Sequence, residues 1–231
     1  MIPEVKTLLS WSSGKDSAWT LHVLRERGIH VGALLTTFNA AADRVAMHAV
    51  RRSLVEAQAA AADLPLWYVP IPSPCPNEVY EARMREAMAR ARAEGFTHVA
   101  FGDLFLEDVR QYREERMRGT GLEPLFPLWK QPTTVLAAEM LAAGLGAVVT
   151  CVDPRHLDRR FAGRTYDDVL LSELPATVDP CGERGEFHTF CFTGPMFTQP
   201  VPITTGEIVE RDGFVFADLV AARSGGGVDH A

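Results

Sequence analysis

Apolar positions along the first hundred residues follow two rhythms that take turns. Residues 5–11 form a short apolar run ended by small residues, which predicts a buried strand. Residues 16–27 predict a helix, closed by Gly28 just past its end. Residues 30–38 are rich in β-formers (Val31, Leu34, Leu35, Thr36, Thr37) and predict a second strand. Met47, Val50, Leu54, Ala57 and Ala61 then recur at helical spacing, with Pro65 behind them. Residues 66–71 predict a third strand. After Pro72, Pro74 and Pro76, Asn77 is placed to cap a helix whose apolar face is Tyr80, Met84, Ala87, Met88 and Ala91. Gly95 ends it, and residues 97–101 predict a fourth strand. This β-α-β-α-β-α-β order predicts a parallel sheet with helices on both faces.

The rhythm weakens further on. Residues 103–120 are dense in both signs of charge and predict a solvated helix. Residues 122–129 allow a strand, but Pro124 and Pro127 confine it to an edge. Residues 133–143 predict a helix and 147–152 a strand. From about residue 153 loops are expected to dominate, with a short helix at 166–174 and a hairpin at 208–216 around Asp212-Gly213. The expected organisation is residues 1–130 as one domain and 131–231 as a smaller one with a frayed tail.

Composition narrows the class. At 231 residues and 47% hydrophobic, the chain can bury a sizeable core. A net charge of −7 argues against broad nucleic-acid binding, which draws on Lys and Arg. Cys75, Cys151, Cys181 and Cys191 include no C-x-x-C pair, so reduced thiols are expected rather than a zinc site. No run reaches the roughly 20 apolar residues of a membrane span, and no signal-peptide pattern opens the chain. A cytoplasmic protein is expected.

The first candidate chemistry is the stretch Ser12-Ser13-Gly14-Lys15-Asp16-Ser17, between the first strand and the first helix. A helix N-terminus offers unpaired N–H groups and a partial positive charge, and small residues let an anion come close. The plainer reading is a helix-capping serine loop with no ligand. A Walker loop is excluded because Leu9 stands where its first Gly belongs and Asp16 where its Ser or Thr belongs. A dinucleotide fingerprint is excluded because no G-x-G-x-x-G is present.

The second is residues 179–195, where Glu183 and Glu186 flank Gly185 and are followed by His188 and Thr189. An exposed turn is the plainer reading, but three Phe residues beside so many polar groups do not suit one. A third stretch, Phe101-Gly102-Asp103, ends the fourth strand; Asp103 reads either as a second carboxylate near a nucleotide or as a loop-start cap.

The first stretch resembles the S-G-G-x-D-S PP-loop of the ATP pyrophosphatases, with Ser13 replacing the first Gly. Together with Phe101-Gly102-Asp103 and Gly182-Glu183-Arg184-Gly185-Glu186-Phe187-His188-Thr189, the chain resembles the diphthine–ammonia ligase-type branch of the adenine nucleotide alpha hydrolase group, from residue 7 to about 217. The resemblance implies an α/β fold, a doubly wound parallel sheet of HUP-like type with a smaller C-terminal domain. It implies ATP and Mg²⁺, with Ser12, Ser13, Gly14, Lys15, Asp16, Ser17, Gly102 and Asp103 on the nucleotide and Asp16 and Asp103 on the metal. Lys15, Asp16, Glu183 and Glu186 are the catalytic candidates, and Glu183, Glu186, His188 and Thr189 the substrate-binding ones. The implied reaction adenylates a carboxylate, releasing pyrophosphate, and lets ammonia displace AMP. Expected partners are ATP, ammonium and a carboxylate on a small molecule or a protein side chain, with homodimerisation open. The His188-Thr189 form of the late block resembles the bacterial branch, where diphthine is absent and the acceptor must differ. A tRNA-modifying PP-loop enzyme and a non-catalytic ATP-binding sensor are the alternatives.

Overall fold

Six strands make the first sheet: β1 (Lys6–Ser10), β2 (His30–Asn39), β3 (Arg44–Val45), β4 (Leu66–Ile71), β5 (His98–Ala100) and β6 (Glu123–Leu125). The computed structural model describes residues 5–39, 41, 43–45 and 50–222. All pairings in this sheet are parallel except that of the two-residue β3 with the end of β2. Across the sheet the parallel strands lie in the order β4-β2-β1-β5-β6. The chain therefore winds one way from β1 through β2 to β4, then returns past β1 to β5 and β6. The reversal falls between β1 and β5, where a crevice opens beyond the strand ends.

Period-two alternation puts neighbouring strand residues on opposite faces. Leu8, Ala33, Leu35 and Val99 pack in one cluster with Ala87 and Met88 of α3 (Asn77–Ala93) and Met117 of α4 (Glu107–Met117). Leu9 and Leu34 belong to the other face, with Leu21 and Leu24 of α1 (Lys15–Glu26) and Leu54 and Val55 of α2 (Arg52–Ala61). Each such leucine, fully buried, contributes about 1.5–3 kcal/mol.

The α1/α2 side is covered by a second, antiparallel sheet. It comprises β7 (Gly146–Val152), β8 (Thr165–Tyr166), β9 (Phe187–Thr193), β10 (Ile203–Arg211) and β11 (Phe214–Ala221), with β7 joined to β8, β9 and β11. α5 (Thr133–Ala142) precedes this sheet and α6 (Asp168–Glu173) follows β8. Val149, Phe190 and Leu219 share one hydrophobic cluster with Leu9, Leu21 and Leu54, so the core runs unbroken from one sheet to the other.

The α/β architecture is that expected, and β1, α1, β2, β4, α3 and β5 match to within a residue or two at their ends, whereas α2 begins only at Arg52, which leaves Val50 of its expected face outside the helix, and α4 is shorter than the charged run at 103–120. Asn77 does not cap α3; Pro76 occupies that position and no side chain caps the helix. β7, expected as a strand at 147–152, lies at the centre of the second sheet. The region after residue 153 is less loop-dominated than expected: β9 arises inside the late polar block, and the hairpin around Asp212-Gly213 spans nine- and eight-residue strands. Met47 of the second predicted helix lies outside the described residues.

Candidate active site

β1 ends at Ser10 and hands the chain to a tight loop before α1. Ser13 takes a left-handed conformation, φ 71°, which turns the backbone so that Gly14 can begin the helix in an extended conformation. Ser12 Oγ donates to Ser17 Oγ at 3.1 Å and accepts from Gly14 N at 3.3 Å, while Ser17 Oγ donates to Gly14 O at 3.0 Å. The loop is thus preshaped by its own hydroxyls, with the first-turn N–H groups of α1 directed along the helix axis beyond it.

Lys15, expected on the nucleotide, lies deep in the wall of the crevice. It is 1% exposed, and its Nζ donates to both carboxylate oxygens of Asp16 at 2.9 Å and to the carbonyl oxygen of Cys181. The rings of Tyr166 and Phe187 flank it at 5.5 and 5.6 Å. Burial alone would lower its pKa, but Asp16 and neighbouring negative groups outweigh that and hold the ammonium charged. The backbone N of Lys15 donates to Thr189 Oγ1 at 3.1 Å. The residue therefore ties the first-strand loop to the late block.

The second wall comes from the loop after β5. Gly102 has no room for a side chain: a Cβ would lie 3.2 Å from the carbonyl oxygen of Asp16 and 3.1 Å from Thr20 Oγ1. That close approach brings Asp103 to the crevice. Its Oδ2 is buried without a hydrogen-bond partner, as is Arg113 Nε of α4, and the two face each other at 3.5 Å. Burial raises the Asp103 pKa, against the opposing pull of Arg113.

The late block supplies the third wall, and its two glutamates diverge. Glu183 Oε1 accepts from Leu104 N at 2.7 Å and Phe105 N at 3.4 Å, binding the block to the Asp103 loop. Burial, with Asp16 and Asp103 nearby, pushes its pKa up to about 7 despite those amides. Glu186 turns away from the crevice. It is 2% exposed, and its two oxygens accept from Asp179 N and Arg184 N, both at 3.0 Å, which closes the turn. Glu186, expected among the catalytic and substrate-binding residues, thus lies inside its own turn and does not line the crevice. His188 is half-buried, and burial with the nearby Lys15 charge pushes its pKa down to about 4, so it is neutral at pH 7.

Ser12, Gly14, Lys15, Asp16, Ser17, Gly102, Asp103, Glu183, His188 and Thr189 line one cleft of about 370 Å³. Ser13 and Glu186 do not; Ser13 instead offers its carbonyl to Cys191 N and Gln58 Nε2, both at 2.9 Å. An adjoining cavity of about 440 Å³ shares Ser10, Ser12, Arg113 and His188 with the cleft and adds Trp11, Leu35 and Tyr80. Sequence reasoning missed Arg113, which reads as one charge in a solvated run, and Gln58, whose amide lies in the core with nothing nearby in sequence to mark it. It also missed Asp179, which accepts from Cys181 N and Thr133 Oγ1 and so anchors the block to α5.

Among the described residues no group of three or more His, Cys, Asp or Glu forms a metal cluster. Mg²⁺ asks for less: one or two carboxylates with phosphate oxygens completing its shell. Asp16 and Asp103, whose Oδ2 accepts no hydrogen bond, line the same cleft and fit that requirement.

Residues 5–124, more than half of the 231, match the family model for the diphthamide synthase N-terminal domain, and residues 132–218 match the diphthamide synthase C-terminal domain. The chain belongs to the diphthamide synthase family. A diphthine–ammonia ligase from Rattus norvegicus is 31% identical over 127 residues, covering 52% of this chain and 48% of its own length. The Homo sapiens protein of that name is 30% identical over 124 residues, or 51% and 46%. The one from Schizosaccharomyces pombe is 28% identical over 117 residues, 49% of this chain and 19% of its own. The matched region spans less than half of each of these family members. No described helix is long and apolar enough to cross a membrane.

Proposed function

We propose that the protein is an ATP-dependent amide-forming ligase of the diphthine–ammonia ligase kind, which adenylates a carboxylate and transfers ammonia to it. The observation that carries this reading is the meeting of the Ser12–Ser17 loop, Gly102-Asp103 and Glu183-His188-Thr189 in one crevice at the reversal of a parallel sheet. ATP is assigned to that crevice, its phosphates against Ser12, Gly14, Ser17 and the first turn of α1, its base in the adjoining cavity beside Trp11 and Leu35. Asp16 and Asp103 would hold Mg²⁺, which supplies charge neutralisation on the phosphates of a cleft otherwise lined by three carboxylates.

The acceptor carboxylate attacks the α-phosphorus, the bond to the β-phosphate oxygen breaks, and pyrophosphate leaves. Ammonia then attacks the acyl carbon, the bond to AMP breaks, and the amide nitrogen sheds a proton. Glu183, ionising near pH 7, is suited to accept a proton from ammonium. Lys15 holds Asp16 in place rather than reaching for phosphate. Residues 1–130 supply the nucleotide side and 131–231 the late block, as the two family-model spans suggest. A bacterial branch has the His188-Thr189 pair as its support, and the absence of paired cysteines fits a cytoplasmic setting. Thiol chemistry of the tRNA-modifying kind loses ground, because burial pushes the Cys181 thiol up to about 12.

The deciding experiment supplies α-labelled ATP, ammonium and a panel of carboxylates, then separates the nucleotides. AMP with pyrophosphate, dependent on one carboxylate, is expected. ADP as the main product would overturn the reading, and bound ATP with no turnover would make the protein a sensor.

A further inference from the structure

A second hollow lies between α3 and α4, about 210 Å³ in volume, floored by Met84, Met88, Met117 and Phe101. It shares walls with the crevice: Phe101 and Arg113 line both, and Arg113 lines the adjoining cavity as well. Its charged lining is four arginines (85, 113, 116 and 118) against Glu81 and Glu115. Arg116 is paired with Glu81 at 2.8 Å. Among the described residues, the exposed Arg85 and Arg118 form no ion pair, so the rim carries surplus positive charge in a protein whose net charge is −7. Methionine floors adapt to unbranched apolar groups. A cationic rim over such a floor selects an anion that carries an apolar arm.

We infer that the hollow between α3 and α4 binds the acceptor, a small acid with a short apolar arm, and that Arg113 receives its carboxylate at the entrance to the crevice. This rests on the ligase reading and extends it by naming the acceptor's class and its place. Arg113 is suited to the task because it lines the hollow and the crevice alike, and its buried Nε makes no hydrogen bond, with only the longer ion pair to Asp103 Oδ2 at 3.5 Å. A carboxylate is the natural match for a planar guanidinium so placed.

The test uses the full chain with ¹³C-labelled methionine methyl groups, seven in all. Hexanoate is the probe, with hexylamine and 1-hexanol for comparison. Saturable shifts are expected at Met84, Met88 and Met117, with Met140 and Met196, buried in the other cluster, unmoved. Hexanol and hexylamine should bind at least about tenfold more weakly. The double variant Arg85→Glu, Arg118→Glu should weaken hexanoate by about tenfold or more, and the Met140 and Met196 signals will verify its fold. No saturable shift with hexanoate, or an equal response to hexylamine, overturns the inference. ATP affinity is measured separately by calorimetry. Its absence, with hexanoate shifts intact, would count against the ligase reading while the binding hollow stands.

Discussion

Ser13 stands where the PP-loop pattern has glycine, and its φ of 71° shows what glycine would do there. The left-handed region costs a residue with a Cβ about 1 kcal/mol or more, and Ser13 Oγ is also buried without a partner. Ser13→Gly should therefore raise stability, by about 1 kcal/mol in urea denaturation, although glycine is more disordered when unfolded. Glu183 makes the opposite kind of demand. Its pKa is 4.5 in the open chain and about 7 in the fold, so between those values the folded state binds more protons. Stability should then fall as pH rises from about 4.5 to 7, and Glu183→Gln should flatten that slope. If Glu183 takes the ammonium proton, amide formation should rise with pH to a midpoint near 7 and collapse in the Gln variant. A rate profile unchanged by the substitution would remove Glu183 from the chemistry.

The late block shows how one element divides labour that its sequence leaves undivided. Glu183 and Glu186 flank one glycine and look interchangeable, yet one faces the crevice and the other the inside of its own turn. Gln at position 186 would set its amide group against one of two N–H donors, costing about 1–3 kcal/mol. Thermal unfolding of Glu186→Gln should show that loss, whereas Glu183→Gln should show little of it at pH 7. β1, α1 and β2 were legible because local rules suffice for them: an apolar run, a helix rhythm and Gly28 at φ 68° past the helix end. β9 was not, since Phe187, Thr189 and Cys191 are buried on one side and Phe190 on the other, which erases the polar alternation that marks a strand. Its partner β7 lies some forty residues away, and no local signal announces that pairing. The candidate residues themselves were legible as a set of motifs. Which of them line the crevice depends on side-chain directions that only the assembled turn defines.

Across the whole molecule the two sheets are joined by polar bonds as well as by core. Gln58 is fully buried; its side chain accepts from Trp11 Nε1 at 2.9 Å and donates to the carbonyls of Ser13 and Cys191 at 2.9 and 2.6 Å. Arg44 and Arg51 reach Asp218 of β11 from the first sheet's side. One cooperative unfolding transition is expected. All four tryptophans (Trp11, Trp19, Trp67 and Trp129) lie before the second sheet begins, so their fluorescence should superimpose on far-UV dichroism, which sees both sheets. Gln58→Ala should lower stability by about 3 kcal/mol, by leaving a cavity and orphaned groups.

The bond from Lys15 N to Thr189 Oγ1 joins residues 174 apart in the chain, and a Cβ on Gly14 would sit only 3.1 Å from the carbonyl of Thr189. This contact also has a consequence in time. During synthesis the loop after β1 leaves the ribosome early, while the strand that completes it is still untranslated. A nascent chain holding only the parallel sheet displays the Ser12–Ser17 loop without the wall that shapes it. The crevice is therefore completed late, when β9 has emerged and found its place beside β7.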